Sequence, residues 1–187
     1  MFLGDIFEFG VTPFYFLRHG ETDDSRAGVL QGRRETELNA EGRRQAEQAG
    51  RRMMGMPLAS IHASPLTRAW QTASIVSLLT GVPAYRVPGL IERDWGVYQG
   101  RQKGVRPATR NPNSVEPAEA FAERVLAALK SIKGSLPTLV VAHSGVFRVI
   151  GDHIGLHIDT PSAIGNDQLL LLEPGKRPGG GWRISEV

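Results

Sequence analysis

The sequence contains no cysteine, which excludes disulfide bridges and thiolate metal sites, although it assigns no compartment. No Lys or Arg precedes Arg18, and the apolar opening carries Asp5 and Glu8 without a small-residue cleavage site, so a secretory leader is not expected. No apolar run approaches the roughly 20 residues needed to span a bilayer, and the best candidate, around Leu139, is interrupted by Lys133 and Pro137. There is no internal repeat. These absences predict a cytoplasmic protein with no membrane partner. What is present, 187 residues with 41% hydrophobic content, suffices for one substantial core and is too short for two ordinary ones. Residues 1–187 are therefore read as one domain. Gly and Pro cluster at 100–117 and 174–181, the first marking a short cover insertion at about 97–116 and the second a hairpin turn.

The net charge of +3 admits either nucleic acid or a small anion as partner. Arg33-Arg34, Arg43-Arg44 and Arg51-Arg52 are interleaved with Glu35, Glu37, Glu41 and Glu47, with no aromatics between them for base stacking. That pattern predicts a solvated helix face and no nucleic-acid partner. The apolar side chains Phe2, Leu3, Ile6, Phe7 and Phe9 are available to cover the core or a homodimer partner.

Punctuation by Gly, Pro and capping residues sets the elements. A first strand over about 12–17 ends at Arg18, and a loop through Gly28 and Gly32 lasts until Asn39, an N-cap for a helix from Ala40 with Ala46, Ala49 and Met53 inside. Ser60 to Ala63 forms a short strand, and Pro65 suits the first turn of a helix running to about Thr80. A brief strand over 85–87 follows. A helix over about 117–132 buries Phe121, Val125, Leu129 and Ile132. The unalternating run Leu139-Val140-Val141-Ala142 predicts a central strand covered on both faces, followed by a helix from Val146 to about His153. Strands at 169–172 and 182–186 complete the chain. This alternation predicts an α/β three-layer sandwich, a mostly parallel sheet with helices on both faces. Ligands of such sheets bind beyond the carboxyl ends of the strands, where Arg18-His19, Ser64 with Arg68, and His143 would meet.

The motifs carrying these residues resemble those of the histidine phosphatase superfamily, also called phosphoglycerate-mutase-like. Leu17-Arg18-His19-Gly20-Glu21-Thr22 matches its Arg-His-Gly signature, and Ser64-Pro65-Leu66-Thr67-Arg68-Ala69-Trp70-Gln71-Thr72-Ala73 matches its second motif nearly throughout. Val141-Ala142-His143-Ser144-Gly145, Leu90-Ile91-Glu92 with Gly96 and Gly100, Leu30-Gln31-Gly32 and Leu38-Asn39-Ala40-Glu41-Gly42 extend the resemblance over most of 14–172. It implies that His19 carries a transferred phosphoryl group, that Arg18, Arg68 and His143 cradle it, and that Glu92 is the proton donor.

The chemistry suits those residue types. A phosphoryl group in transfer spreads negative charge over three oxygens, so prearranged positive donors matter most. Arg18 and Arg68 offer planar forks. Their charges also disfavour protonation of His19, whose other ring nitrogen needs tying down, by a backbone carbonyl in the Gly20 turn. An incoming phosphate favours the protonated form of Glu92, which would serve as acid and then as base for the hydrolytic water; Asp94 is the rival acid.

Ser25 stands where relatives often carry a phosphate-touching Asn, Ser144 replaces a common Gly, and Val29 a frequent Arg. Ser25 and Ser144 join Arg18, Arg68 and His143 as the expected substrate-binding set. No metal and no cofactor are expected. His62 reads as a packing or solvent-facing residue, and Gly155 weakens the helical spacing of His153 with His157 as a metal pair. Trp70 and Trp95 read as packing residues. Arg101, Lys103, Arg106 and Arg110 lie in the cover, either to attract an anionic leaving group or as solvated charges. The shortness of that cover favours a metal-independent phosphomonoester hydrolase over a 2,3-bisphosphoglycerate-dependent phosphoglycerate mutase, the substrate being a small phosphorylated metabolite or a phosphoprotein. A non-catalytic phospholigand-binding module is the third reading.

Overall fold

The computed structural model describes residues 7–104, 114–156, 164–166, 168–175 and 181–187. Six strands form one sheet: β1 (Phe14–Arg18), β2 (Ser60–Ala63), β3 (Ala84–Arg86), β4 (Thr138–Ala142), β5 (Leu169–Glu173) and β6 (Arg183–Glu186). Their spatial order is β3-β2-β4-β1-β5-β6. The first four in that order run parallel, while β5 and β6 are antiparallel additions at one side. Helices α1 (Asp23–Arg26), α2 (Ala40–Met53), α3 (Thr67–Thr80), α4 (Ala118–Ser131) and α5 (Ser144–His153) connect them.

The unbroken apolar strands are explained by the two cores they face. Because side chains alternate across a strand, Phe14 and Phe16 of β1 pack with α4 and α5 residues such as Phe121, Val125, Leu129, Phe147 and Ile150. Tyr15 and Leu17 point the other way, onto Ala49 and Met53 of α2 and Ala73 and Val76 of α3. Strand β4 divides likewise, Val140 and Ala142 on one side and Leu139 and Val141 on the other. The chain is thus the three-layer α/β sandwich that its sequence predicts. Phe7 and Phe9 complete the α4/α5 core, whereas Phe2, Leu3 and Ile6 lie outside the described residues. Among the described residues no helix is long and apolar enough to cross a membrane.

Several local expectations are corrected. Arg33-Arg34 lies on no helix: Gly28 and Gly32 hold φ of 70° and 53°, incompatible with a continuous helix, so only Arg43, Arg44, Arg51 and Arg52 form the solvated face on α2. The expected uninterrupted loop after β1 contains α1, closed by a reciprocal capping box between Thr22 and Ser25. Helix α3 begins at Thr67, leaving Pro65 before it, and α5 begins at Ser144 rather than Val146. Strand boundaries shift by one or two residues, β1 starting at Phe14 and β3 spanning Ala84–Arg86.

The N-terminus of α2 is seated against the loop that leaves β1. Asn39 caps it by accepting the Gly42 N–H at 2.8 Å, and its own amide nitrogen donates to the Glu21 carboxylate at 2.9 Å. A Cβ on Gly20 would run into the Gly42 carbonyl oxygen, and one on Gly42 into the Glu21 backbone. Replacing a helical Gly by Ala ordinarily stabilises by about 1 kcal/mol. Gly42→Ala is expected to do the opposite, lowering stability by about 1–3 kcal/mol through overpacking against a backbone that has nowhere to go. Chemical denaturation checks this, and an unchanged or raised midpoint would refute the close seating.

Candidate active site

Parallel strands β1, β2 and β4 end together, and each delivers one part of the site. His19 follows β1 directly, with its N–H donating to the Ala142 carbonyl at the end of β4 at 3.0 Å. Ser64 follows β2, its N–H donating to Val141 O at 3.0 Å, and the chain then turns into α3, whose second residue is Arg68. His143 follows β4 and forms the N-cap position of α5. The sequence-predicted set Arg18, His19, Arg68 and His143 is therefore brought to one edge of the sheet.

His19 is 3% exposed and held at four points, its N–H on Ala142 and three more. Its Nδ1 faces the Gly20 carbonyl at 2.8 Å, so Nδ1 carries the proton and donates. That leaves the lone pair on Nε2, where it accepts the Arg68 Nε–H at 3.3 Å. The His19 carbonyl accepts from Asn166 Nδ2 at 2.6 Å, and the next amide, Gly20 N–H, donates to Thr72 Oγ1 at 3.0 Å. The ring's pKa lies well below its ordinary value, first because burial penalises the charged form and then because Arg68 and Arg18 stand close. Both arginines act as the sequence suggests, but desolvation leads.

Arg68 is 1% exposed, and its other guanidinium nitrogens donate to Arg34 O at 2.9 Å and Gly32 O at 2.8 Å. Burial lowers its pKa to about 10, so it remains a cation at neutral pH. Arg18 donates from Nη1 to Ile164 O at 2.8 Å, and burial lowers it too, with Glu92 opposing. His143 is fully buried, its ring centroid 5.2 Å from that of His19, and its Nε2 meets Ser64 Oγ at 2.8 Å. Burial, then the Arg68 charge, hold it well below its ordinary pKa, so it too is neutral. Arg18 Nε and His143 Nδ1 are buried without a hydrogen-bond partner among the described residues. Such orphans are uncommon in native interiors. Arg18 Nε–H is a donor, and His143 Nδ1 is a donor in the tautomer in which the Ser64 hydroxyl donates to Nε2; both lie at the same edge as His19.

Glu92 reaches this edge from the segment after β3. Its Oε2 accepts the Gly145 N–H at the start of α5 at 3.0 Å, and Oε1 accepts the Arg93 N–H at 2.8 Å. Its charge acts on Arg18, Arg68 and Lys103. The carboxylate of the rival Asp94 is engaged by other groups, accepting the Gly96 N–H at 2.7 Å and standing 3.6 Å from Arg33. A Cβ on Gly145 would collide with the Glu92 carboxylate, which explains a glycine in the first turn of a helix and why the sequence places the start of α5 too late.

Ser25 does not present a free hydroxyl: Oγ accepts the Thr22 N–H at 2.9 Å and donates to Thr22 O at 2.9 Å. Ser144 is half-buried as the first residue of α5. Val29 bridges to Gln102, and Lys103 N–H donates to Gly28 O at 2.9 Å, so the described start of the cover is strapped to the loop beyond β1. Arg101 donates to Val97 O at 3.0 Å, and the Lys103 charge weighs on His19. Arg106, Arg110 and His157 lie outside the described residues. His153 stacks on Phe9 at 5.4 Å, and the buried His62 stacks on Tyr85 at 5.5 Å. Trp70 packs under Arg86 and Trp95 under Arg93. Among the described residues no group of three or more His, Asp or Glu side chains is placed to hold a metal. Sequence reasoning misses Thr72, Asn166 and the hydrogen bond between His143 and Ser64. Thr72 and Ser64 lie within the second motif, but nothing near Asn166 signals its contact.

The chain is 35% identical over 159 residues to the agropine synthesis reductase of Rhizobium rhizogenes, a match covering 79% of this chain and 36% of that protein. It thus spans about a third of the length of that relative. It is 30% identical over 147 residues to a Bacillus subtilis (strain 168) protein named uncharacterized phosphatase PhoE, covering 75% of this chain and 76% of the other. Among solved structures, a mycobacterial glucosyl-3-phosphoglycerate phosphatase in complex with VO3 superposes with a TM-score of 0.69 at 25% identity, over 94% of this chain and 98% of that one. The protein TTHB049 from Thermus thermophilus superposes with a TM-score of 0.68 at 26% identity, over 86% and 92%. The family model of the histidine phosphatase superfamily (branch 1) matches residues 14–173, from the first residue of β1 to the last of β5, and the chain belongs to that superfamily.

Proposed function

We propose that the protein is a metal-independent phosphomonoester hydrolase that works through a phosphohistidine on His19, acting on a small phosphorylated metabolite or a phosphoprotein. One observation carries this reading: the ring of His19 is buried and neutral, with Nδ1–H fixed on Gly20 O and the Nε2 lone pair directed to the Arg68 fork. That is a nucleophile prepared beside two cations, which supply the positive charge that the reaction needs. The phosphatase names of relatives support the same direction.

In the first step Nε2 attacks phosphorus as the bond to the ester oxygen breaks, and protonated Glu92 delivers its proton to that oxygen. The alcohol leaves. In the second step water attacks the phosphorus, Glu92 takes its proton, and the P–N electron pair returns to Nε2. The sum is a phosphomonoester plus water giving an alcohol and inorganic phosphate. Arg18 Nε and His143 Nδ1, both lacking partners among the described residues, would donate to phosphoryl oxygens. Arg68 Nε–H can transfer its hydrogen bond from His19 to the same group, freeing the lone pair as the substrate arrives.

His19→Ala is expected to lower p-nitrophenyl phosphate turnover by roughly 10³-fold or more, with wild-type activity unaffected by excess chelator. Persisting activity in the variant, or loss on chelation, would overturn the mechanism. Glu92→Gln should lower kcat/KM for an alkyl phosphate by roughly 10²-fold while sparing p-nitrophenyl phosphate, whose leaving group needs little protonation. Gly145→Ala should mimic this pattern by displacing the carboxylate, and a uniform loss on both substrates would argue against it.

Burial of two neutral imidazoles also sets a pH dependence. The unfolded chain binds protons on His19 and His143 near an ordinary pKa of about 6.5, whereas the folded chain does not until well below it. Their contribution is fully present above about 6.5 and is lost as pH falls towards the folded values. The denaturation midpoint should therefore drop between about pH 7 and pH 5, and less steeply in His19→Asn; equal slopes would show that the ring is not held neutral.

A further inference from the structure

The segment 88–96 that carries Glu92 is held by neither sheet nor α-helix, only a single 3-10 turn at Pro88–Leu90 and another at Gly96–Tyr98. Its backbone is fixed instead by side chains that converge on one carboxylate. Glu116, just before α4, accepts four hydrogen bonds: Oε1 from Arg33 Nη2 at 3.1 Å and Arg124 Nε at 2.9 Å, and Oε2 from Arg124 Nη2 at 2.9 Å and Asp94 N at 3.1 Å. That fills the acceptor capacity of a carboxylate. Arg124 then reaches Gly89 O at 2.8 Å and Ile91 O at 3.0 Å, while Arg33 Nε reaches Glu92 O at 3.5 Å. Arg93 Nε donates to the Glu116 carbonyl at 2.8 Å, and Glu116 N–H to Asp94 O at 2.9 Å. The carbonyls of residues 89, 91, 92 and 94 and the amide of 94 are thus all tied to Glu116 or to its two arginines.

We propose that Glu116 is a positioning residue for the proton-transfer carboxylate Glu92. The inference rests on the reading of Glu92 as the acid. With its side chain only 13% exposed, Glu116 gathers Arg33 from the loop before α2 and Arg124 from α4 onto the acid-bearing segment. Removing its charge leaves two guanidinium groups facing one another with no anion between them, and glutamine would offer N–H donors where four donors already converge. The segment then loses its anchor while Arg18, His19, Arg68 and His143, held by other partners, keep theirs.

This predicts a defect confined to the step that needs the acid. In Glu116→Gln, kcat/KM for an alkyl phosphate should fall about 10-fold or more, while that for p-nitrophenyl phosphate stays within about 3-fold of wild type. Combined with Glu92→Gln, the substitution should add nothing to the loss on the alkyl phosphate, because both act through one carboxylate. Equal losses on the two substrates, or additive losses in the double variant, would overturn the proposal and leave Glu116 as a purely structural anchor. Should Glu116→Gln not fold, Arg33→Met must show the same leaving-group selectivity, and a uniform loss would equally overturn it. If Glu92→Gln itself shows no selectivity, the assignment of the acid fails first and the proposal falls with it.

Discussion

A guanidinium with 1% of its surface exposed needs an acceptor for every N–H it can reach, and Arg68 takes them from two loop carbonyls and from the His19 imidazole. No carboxylate among the described residues lies within ion-pair distance; Glu92, Glu35 and Asp24 act on it only as longer-range charges. Isolated buried charge is among the most expensive things a fold can carry. The loop beyond β1 is shaped around this demand, since Gly32 and Arg34 present their carbonyls to Arg68 just where Gly32 turns the chain.

The same constraint accounts for the condition of the two imidazoles. Burial and the arginine charges act together on His19 and His143 and keep both neutral. For His19 this leaves a lone pair, and for His143 a ring nitrogen, Nδ1, without a partner among the described residues. An unsatisfied buried donor costs about 1–3 kcal/mol. Of the three buried side-chain polar atoms without a hydrogen-bond partner among the described residues, Arg18 Nε and His143 Nδ1 stand at one sheet edge, the third being Asp24 Oδ2. On the proposed reading an incoming phosphoryl group would complete those hydrogen bonds.

What the sequence makes legible follows from which interactions are local. Strand β4 reads as central because Leu139 to Ala142 never alternates, and Asn39 reads as a cap because its partner Gly42 is three residues away. Arg18, His19, Arg68 and His143 are recognisable because each lies at or just after the end of a strand or the start of a helix, where the topology of a parallel sheet gathers them. The features that escape a sequence reading are mostly long-range. Gly145 looks like a helix breaker until the Glu92 carboxylate is seen against it, 53 positions away. Arg33 looks like half of a solvated pair, yet its partner Glu116 is 83 positions distant. Ser25 reads as a donor to substrate, but its hydroxyl is committed to the Thr22 backbone.

These differences separate two modes of construction within one site. Arg18, His19 and His143 are mounted at strand ends, where the backbone is fixed by ladder hydrogen bonds and by cores on both faces, so their positions derive from the fold itself. The carboxylate sits on irregular chain, and its position derives from a charge network centred on Glu116 and from the N-terminus of α5. On the proposed reading a phosphoryl group would always meet His19 among the same neighbours, which suits a rigid mounting. Leaving groups of phosphomonoesters differ in size, and on the same reading Glu92, carried on an independently anchored segment, could be adapted to them without disturbing β1 or β4. Variation in which alcohol is released is therefore expected to concentrate in residues 88–96 and at Glu116, where side chains rather than sheet geometry set the position of the Glu92 carboxylate.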